Sequence, residues 1–161
     1  MFRVNFCLKE TATSDAISRF VKHWFEIENY TKEKYAFLAD RTDNAQAKAL
    51  FNQLSSSGDR HAKILQSIRE MLVETGEIDK EVTLHIRVRT PGDKPQRWGT
   101  PIEETYHAMK DHLELEAGLK EAYEEISDMI ENQEAQKLFR MIAMDEKKHH
   151  AMLLAMMRFF E

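Results

Sequence analysis

The chain is 161 residues long, 42% hydrophobic and 32% charged, with a formal net charge of −5. That length suits one domain with a real core, and the acidic balance argues against nucleic acid as a general partner. Its one cysteine, Cys7, excludes an internal disulfide and any cysteine-based cluster site, and no apolar run approaches membrane-spanning length.

Residues 2–8 alternate, with Phe2, Val4, Phe6 and Leu8 on one side and Arg3, Asn5 and Cys7 on the other. Period two predicts a short strand or extended arm, with Cys7 as a packing residue. The opening stretch is too short and too alternating for a signal peptide, so a cytoplasmic setting is expected. Thr13, Ser14 and Asp15 then offer caps for a first helix.

Helix 1 is predicted from about Asp15 to Ala39. Its seam is Ile17, Val21, Trp24, Glu28, Thr31, Tyr35 and Leu38, a 4-3-4-3 spacing that faces other helices. Glu28 falls at a core position. Thr42 and Asp43 mark a short turn, so helix 2 is expected to pack antiparallel to helix 1. It is predicted from about Asn44 to Val73, with a seam through Ala47, Leu50 or Phe51, Leu54, Gly58, His61, Leu65, Ile68 and Leu72. Ser55-Ser56-Ser57-Gly58 has poor helix propensity and predicts a kink or bulge there.

Residues 75–101 hold all three prolines and Gly76, Gly92 and Gly99, and are expected to form a long connection. Val82 to Arg89 alternate cleanly and are a strand candidate inside it. Extended chain advances ~3.3 Å per residue against ~1.5 Å in a helix, so this connection can cross the full length of a bundle. Helix 3 is predicted from Pro101 or Ile102, capped by Thr100, with a seam through Met109, His112, Glu116, Leu119, Tyr123, Ile126 and Ile130. A break near Glu131-Asn132 leads into helix 4, which is expected to run to the end. Its seam is Ala135, Leu138 or Phe139, Ile142, Glu146, His149, Leu153, Met156 and Phe160.

The two halves, about 15–74 and 101–160, repeat without a gap: Glu116 follows Glu28, Tyr123 follows Tyr35 and His149 follows His61, each by 88 residues. Lys22 meets Lys110, Asn44 meets Asn132, and Leu50-Phe51 meets Leu138-Phe139 at the same offset. Composition alone would give on the order of three identities over this span, so a duplicated helical hairpin within a single domain is the reading.

Glu28, His61, Glu116, Glu146 and His149 stand where apolar residues belong. One seam histidine is more often a hydrogen-bonded core residue than a ligand. Three carboxylates and two imidazoles from four helices are harder to place that way, because a buried unpaired carboxylate costs several kcal/mol. Bound divalent cations would neutralise them together. The donor set suits iron or manganese, with zinc also compatible.

At these residues the sequence resembles the ferritin-like superfamily, and its rubrerythrin and erythrin group. The resemblance rests on Glu28 seven residues before Tyr35, Glu116 seven before Tyr123, His61, and the Glu146-x-x-His149 pair. It implies an all-α, antiparallel four-helix bundle with a long crossover between helices 2 and 3. It also implies two iron ions, or manganese or a mixed pair. Glu28 and His61 would hold one ion, Glu116 and His149 the other, and Glu146 would bridge them. Tyr35 and Tyr123 would be hydrogen-bond donors to the ligands.

Two departures stand out. Gly58, not Glu, lies three residues before His61. Asp59 could substitute only if helix 2 bulges. If the halves arose by duplication, the pocket at position 58 is expected to stay shaped for the lost carboxylate. There is also no rubredoxin-like cysteine domain, so electrons would come from an external donor. His112, one turn before Glu116, is a further candidate ligand, although helical side chains lean away from that level. His23, His85, His107 and His150 are read as surface or packing residues.

The functional expectation is a di-iron or dimanganese protein that reacts with O2 or peroxide. The alternatives are a single-metal or metal-handling bundle, ferroxidase included, and a degenerate bundle that acts as an interaction scaffold. The apolar stretch 151–160 also predicts a homodimer or larger assembly.

Overall fold

Four helices make up nearly all of what the computed structural model describes, residues 14–78 and 101–159. They are α1 Ser14–Arg41, α2 Ala45–Glu74, α3 Pro101–Met129 and α4 Gln133–Met157. There is no strand among the described residues. The fold is the all-α four-helix bundle that the seams predict, of the ferritin-like kind that the resemblance implies, with helix ends within about two residues of expectation except that α4 stops at Met157 instead of running to the end. The arm expected at 2–8, the strand candidate at 82–89, His85 and Phe160 lie outside the described residues.

Short links at 42–44 and 130–132 fold α1 onto α2 and α3 onto α4 as antiparallel hairpins. The hairpins meet chiefly through α2 against α4, and more sparsely through α1 against α3. The repeat is visible in the caps. Asn44 accepts from the backbone N–H groups of Gln46 and Ala47, and Asn132, its counterpart, accepts from that of Ala135.

Helix α2 ends in a Schellman turn. The Gly76 N–H bonds Val73 O and the Glu77 N–H bonds Leu72 O. Gly76 takes φ 76°, the left-handed conformation such a turn requires. The carboxylate of Glu77 then accepts from the backbone N–H groups of Glu131 and Asn132 at 2.8 and 2.9 Å. The chain leaving α2 is thereby tied to the α3–α4 turn.

The apolar core is split along the bundle axis. One cluster gathers Phe20, Trp24, Leu65, Ile68, Tyr123 and Phe139 with their neighbours. The other gathers Tyr35, Leu38, Phe51, Leu54, Met109 and Leu153. Between them lies a buried polar layer: Glu28 and Thr31 from α1, Ser57 and His61 from α2, His112 and Glu116 from α3, Glu146 and His149 from α4. The two apolar clusters exclude water from both ends of that layer.

Helix α2 runs unbroken through Ser55–Gly58, which corrects the expected kink or bulge. Each weak helix former there has a packing or hydrogen-bonding role. Ser55 donates to Lys32 O on α1 at 2.9 Å, Ser56 donates to Asn52 O one turn back at 3.0 Å, and Ser57 faces α4. Gly58 lets α1 and α2 approach closely. A Cβ built there would sit 3.1 Å from Glu28 O and 3.2 Å from Lys32 Cβ.

Candidate metal centre

The polar layer has a two-sided geometry centred on Glu146. Its Oε1 lies 2.8 Å from His61 Nδ1, and its Oε2 lies 3.3 Å from His149 Nδ1. Glu28 Oε1 is 3.5 Å from His61 Nδ1, and Glu116 Oε1 is 3.8 Å from His149 Nδ1. Two groups result, Glu28–His61–Glu146 and Glu116–Glu146–His149. In each, the ligand atoms lie within 4.8 Å of one another and every residue is buried. The four helices thus bring together all five seam residues singled out from the sequence, with Glu146 common to both groups. The 3.6-residue period explains the α4 contribution: residues three apart share a face, so Glu146 and His149 enter the layer together.

Burial sets the charge of the layer. It pushes Glu116 up to about 12, helped by Glu146 and Glu28 nearby. Glu28 is raised too, chiefly by burial, though His61 and Tyr123 oppose this. Glu146 goes the other way. Burial would raise it, but contacts with Glu116, His149 and His61 hold it below the carboxylate range. His61 is likewise disfavoured as a cation by burial, yet Glu146 and Glu28 outweigh this and raise it to about 10. In the metal-free protein, therefore, Glu116 keeps a proton, Glu146 is ionised and His61 is a cation. Protons stand where divalent charge would otherwise neutralise the carboxylates.

Each histidine is held from behind by a residue of the facing helix. His61 Nε2 lies 3.3 Å from Asp145 Oδ2, and His149 Nε2 lies 2.9 Å from Ser57 Oγ. Asp145 also accepts from Arg60 at 2.6 Å and from Lys148 at 3.1 Å, and Arg60 donates to Ser57 at 3.2 Å. These contacts turn both Nδ1 atoms inward. The sequence reading missed Ser57 and Asp145. The signal was in the repeat, since the two positions are 88 residues apart. Different residue types at a matched position are invisible to a search for identities.

The tyrosines are not equivalent. Tyr123 donates to Glu28 Oε1 at 2.9 Å, but the buried Tyr35 hydroxyl has no partner. Glu116 is instead bonded to His112, whose Nε2 lies 2.6 Å from Glu116 Oε1. Burial and then Lys34 push His112 down to about 3, so its ring is neutral. Its ring packs edge-on against Tyr35, 4.6 Å between centroids. His112 is therefore a partner of Glu116 and belongs to neither ligand group.

Asp59 does not enter the layer. With α2 unbroken it faces outward and pairs with Lys32 and with Lys63 at 2.7 Å, and those lysines hold its carboxyl low. The room expected at position 58 for a carboxylate is taken up by the α1 backbone. His23 packs on Trp24, His107 is exposed and His150 is half-buried.

The layer encloses a cavity of about 10 Å³, lined among others by Gly58, Tyr35, His61, His112 and Glu116. That is room for about one water-sized body. Two buried atoms facing it lack hydrogen bonds, His61 Nδ1 and Glu116 Oε2. The short approach of His61 Nδ1 to Glu146 is poorly aligned, so it is charge attraction without a hydrogen bond. A ring nitrogen and a carboxyl oxygen left without hydrogen bonds in a layer of three carboxyl groups fit a bound divalent cation, which would displace the His61 proton.

No described helix is long and apolar enough to cross a membrane. The family model described as Rubrerythrin matches residues 13–157. No curated protein and no solved structure matches the chain.

Proposed function

The chain belongs to the rubrerythrin family, and from that premise we propose a non-haem di-iron, or dimanganese, carboxylate protein that reduces peroxide or O2. The observation that carries this reading is the placing of two ligand groups on a shared Glu146 inside a water-excluded layer. Glu28, His61 and Glu146 would hold one ion, and Glu116, Glu146 and His149 the other. Bound iron supplies the electrons for cleaving an O–O bond, two electrons and two protons per peroxide to give two waters.

The chain's own residues supply orientation and exclusion of water. Tyr123 holds Glu28, Asp145 and Ser57 hold the imidazoles, and His112 holds Glu116. Tyr35 lines the cavity, and its hydroxyl, which has no hydrogen-bond partner, would serve as a proton donor there. Cys7 is the chain's one thiol, so reducing equivalents would come from a separate donor protein. The proposal includes a cytoplasmic setting and a homo-oligomer.

The test is anaerobic loading with Fe(II), then measurement of peroxide consumption. Wild type should consume peroxide stoichiometrically and turn over when a reductant is added, and Glu146→Ala should not. Tight metal binding without peroxide consumption would favour a second reading, metal storage or handling. The observation on that side is Gly58, which leaves the layer with three carboxylates.

A further inference from the structure

The two halves of the centre repeat one another in sequence but differ in what stands behind each histidine. Behind His61 stands the Asp145 carboxyl group, 3.3 Å from His61 Nε2 and paired with Arg60 and Lys148. Behind His149 stands Ser57, a neutral hydroxyl. A carboxylate behind a ligating imidazole fixes the ring and raises its basicity, and removing such a partner costs ~10–100-fold in metal affinity. A hydroxyl fixes the ring but adds no charge.

Arg60 lies 2.6 Å from Asp145 and 3.2 Å from Ser57, and Lys148 pairs with Asp145 at 3.1 Å, so cations partly offset the extra carboxylate. What distinguishes the halves is direct contact: a carboxylate on one imidazole, a hydroxyl on the other.

We propose that the halves are inequivalent metal sites: Glu28–His61–Glu146 fills first and tightly, and Glu116–Glu146–His149 fills second and exchanges readily. This rests on the metal-binding reading above. Asp145 and Ser57 are positioning residues here, acting through the imidazoles. The exchangeable site is the one whose Glu116 is held by His112, so exchange of the second ion would leave the first in place.

The experiment is titration of the metal-free full chain with Mn(II), following heat and the free-ion magnetic resonance signal. Wild type should bind one equivalent ~10–100-fold more tightly than the second. Repulsion between two ions alone would also separate the steps, so variants assign them. His149→Ala should keep the tight step and lose the weak one. His61→Ala should lose the tight step and keep a single weak one.

Two milder changes decide the matter if an alanine variant does not fold. Asp145→Asn should weaken the first step about tenfold with the second nearly unchanged, and Ser57→Asp should strengthen the second about tenfold. A structural effect alone would not move one step selectively. Equal one-ion affinities in the two alanine variants, or first and second steps indifferent to Asp145→Asn and Ser57→Asp respectively, would overturn the inequivalence and leave metal binding standing. Absence of Mn(II), Fe(II) and Zn(II) binding in wild type would overturn the metal-binding reading itself.

Discussion

Tyr123 on α3 donates a 2.9 Å hydrogen bond to Glu28 on α1, and Tyr35, its repeat counterpart, donates to nothing. Both hydroxyls are buried and both phenols are held in the neutral form, first by burial and then by the carboxylates of the layer. The same substitution should therefore act oppositely at the two sites. Tyr123→Phe strips a buried carboxyl of its donor and should destabilise the metal-free protein by about 1–3 kcal/mol. Tyr35→Phe removes an unsatisfied hydroxyl and should be neutral or slightly stabilising. Chemical denaturation of both variants checks this, and equal losses would show that Tyr35 has a partner in solution.

At Gly58 two effects compete. Adding a side chain in mid-helix favours helix by up to about 1 kcal/mol. Against it stands the α1 backbone, since the new Cβ would meet Glu28 O at 3.1 Å and Lys32 N at 3.3 Å. Those atoms belong to a packed helix and cannot swing aside. Overpacking of this kind typically costs about 1–3 kcal/mol, so Gly58→Ala should be destabilising. Gly58→Glu should be worse in metal-free protein, because it adds a fourth carboxylate to the layer. A Gly58→Ala variant as stable as wild type by thermal melting would mean that the helices separate there at little cost.

The seams carried most of the fold because they are long and regular. Seam residues such as Ile17, Val21, Leu65 and Ile142 recur at helical spacing and are buried where the period places them. Glu28, His61, Glu116, Glu146 and His149 were legible as exceptions within that period. Ser57 and Asp145 were not, because they flank the seam and bond across helices, a relation that no single-helix pattern encodes. The run Ser55–Gly58 was misjudged for a similar reason. Propensity treats it as a weak point in α2, and contacts with α1 and α4 override propensity.

The outer face of α4 carries Met141, Met144 and Leu154, followed by Phe159, all exposed. Met152, Met156 and Met157 on the inner side pack against the core. The expected assembly would cover that outer face. Sedimentation at micromolar concentration should show a dimer or larger species, and Met144→Lys with Leu154→Lys should shift it toward monomer. A wild-type monomer would reject the assembly.

The proton inventory of the layer gives a prediction about pH that separates metal-free from metal-loaded protein. His61 is raised from 6.5 to about 10 in the folded chain. Between those values the folded chain keeps a proton that the unfolded chain has lost, so stability falls as pH rises through the window. Glu116, raised to about 12, adds a fall of the same sign. The depressed carboxyls Glu146 and Asp145 act elsewhere: their contribution is complete above the ordinary carboxylate range and is lost as pH falls below it. His112, lowered to about 3, adds a loss as pH falls below 6.5, which offsets the gain from Glu116 there. Metal-free protein should therefore be most stable near or just below about pH 6.5 and lose melting temperature steadily from about pH 6.5 to 8.5. Metal binding must expel the protons on His61 and Glu116, so affinity rises with pH, and so does the stabilisation by a fixed excess of metal. Melting temperature with saturating Mn(II) should fall less steeply than in metal-free protein, or rise. Glu116→Gln should flatten the metal-free slope, because glutamine carries no proton to hold. A metal-free melting temperature that is flat or rising across this window would show that the layer does not retain these protons.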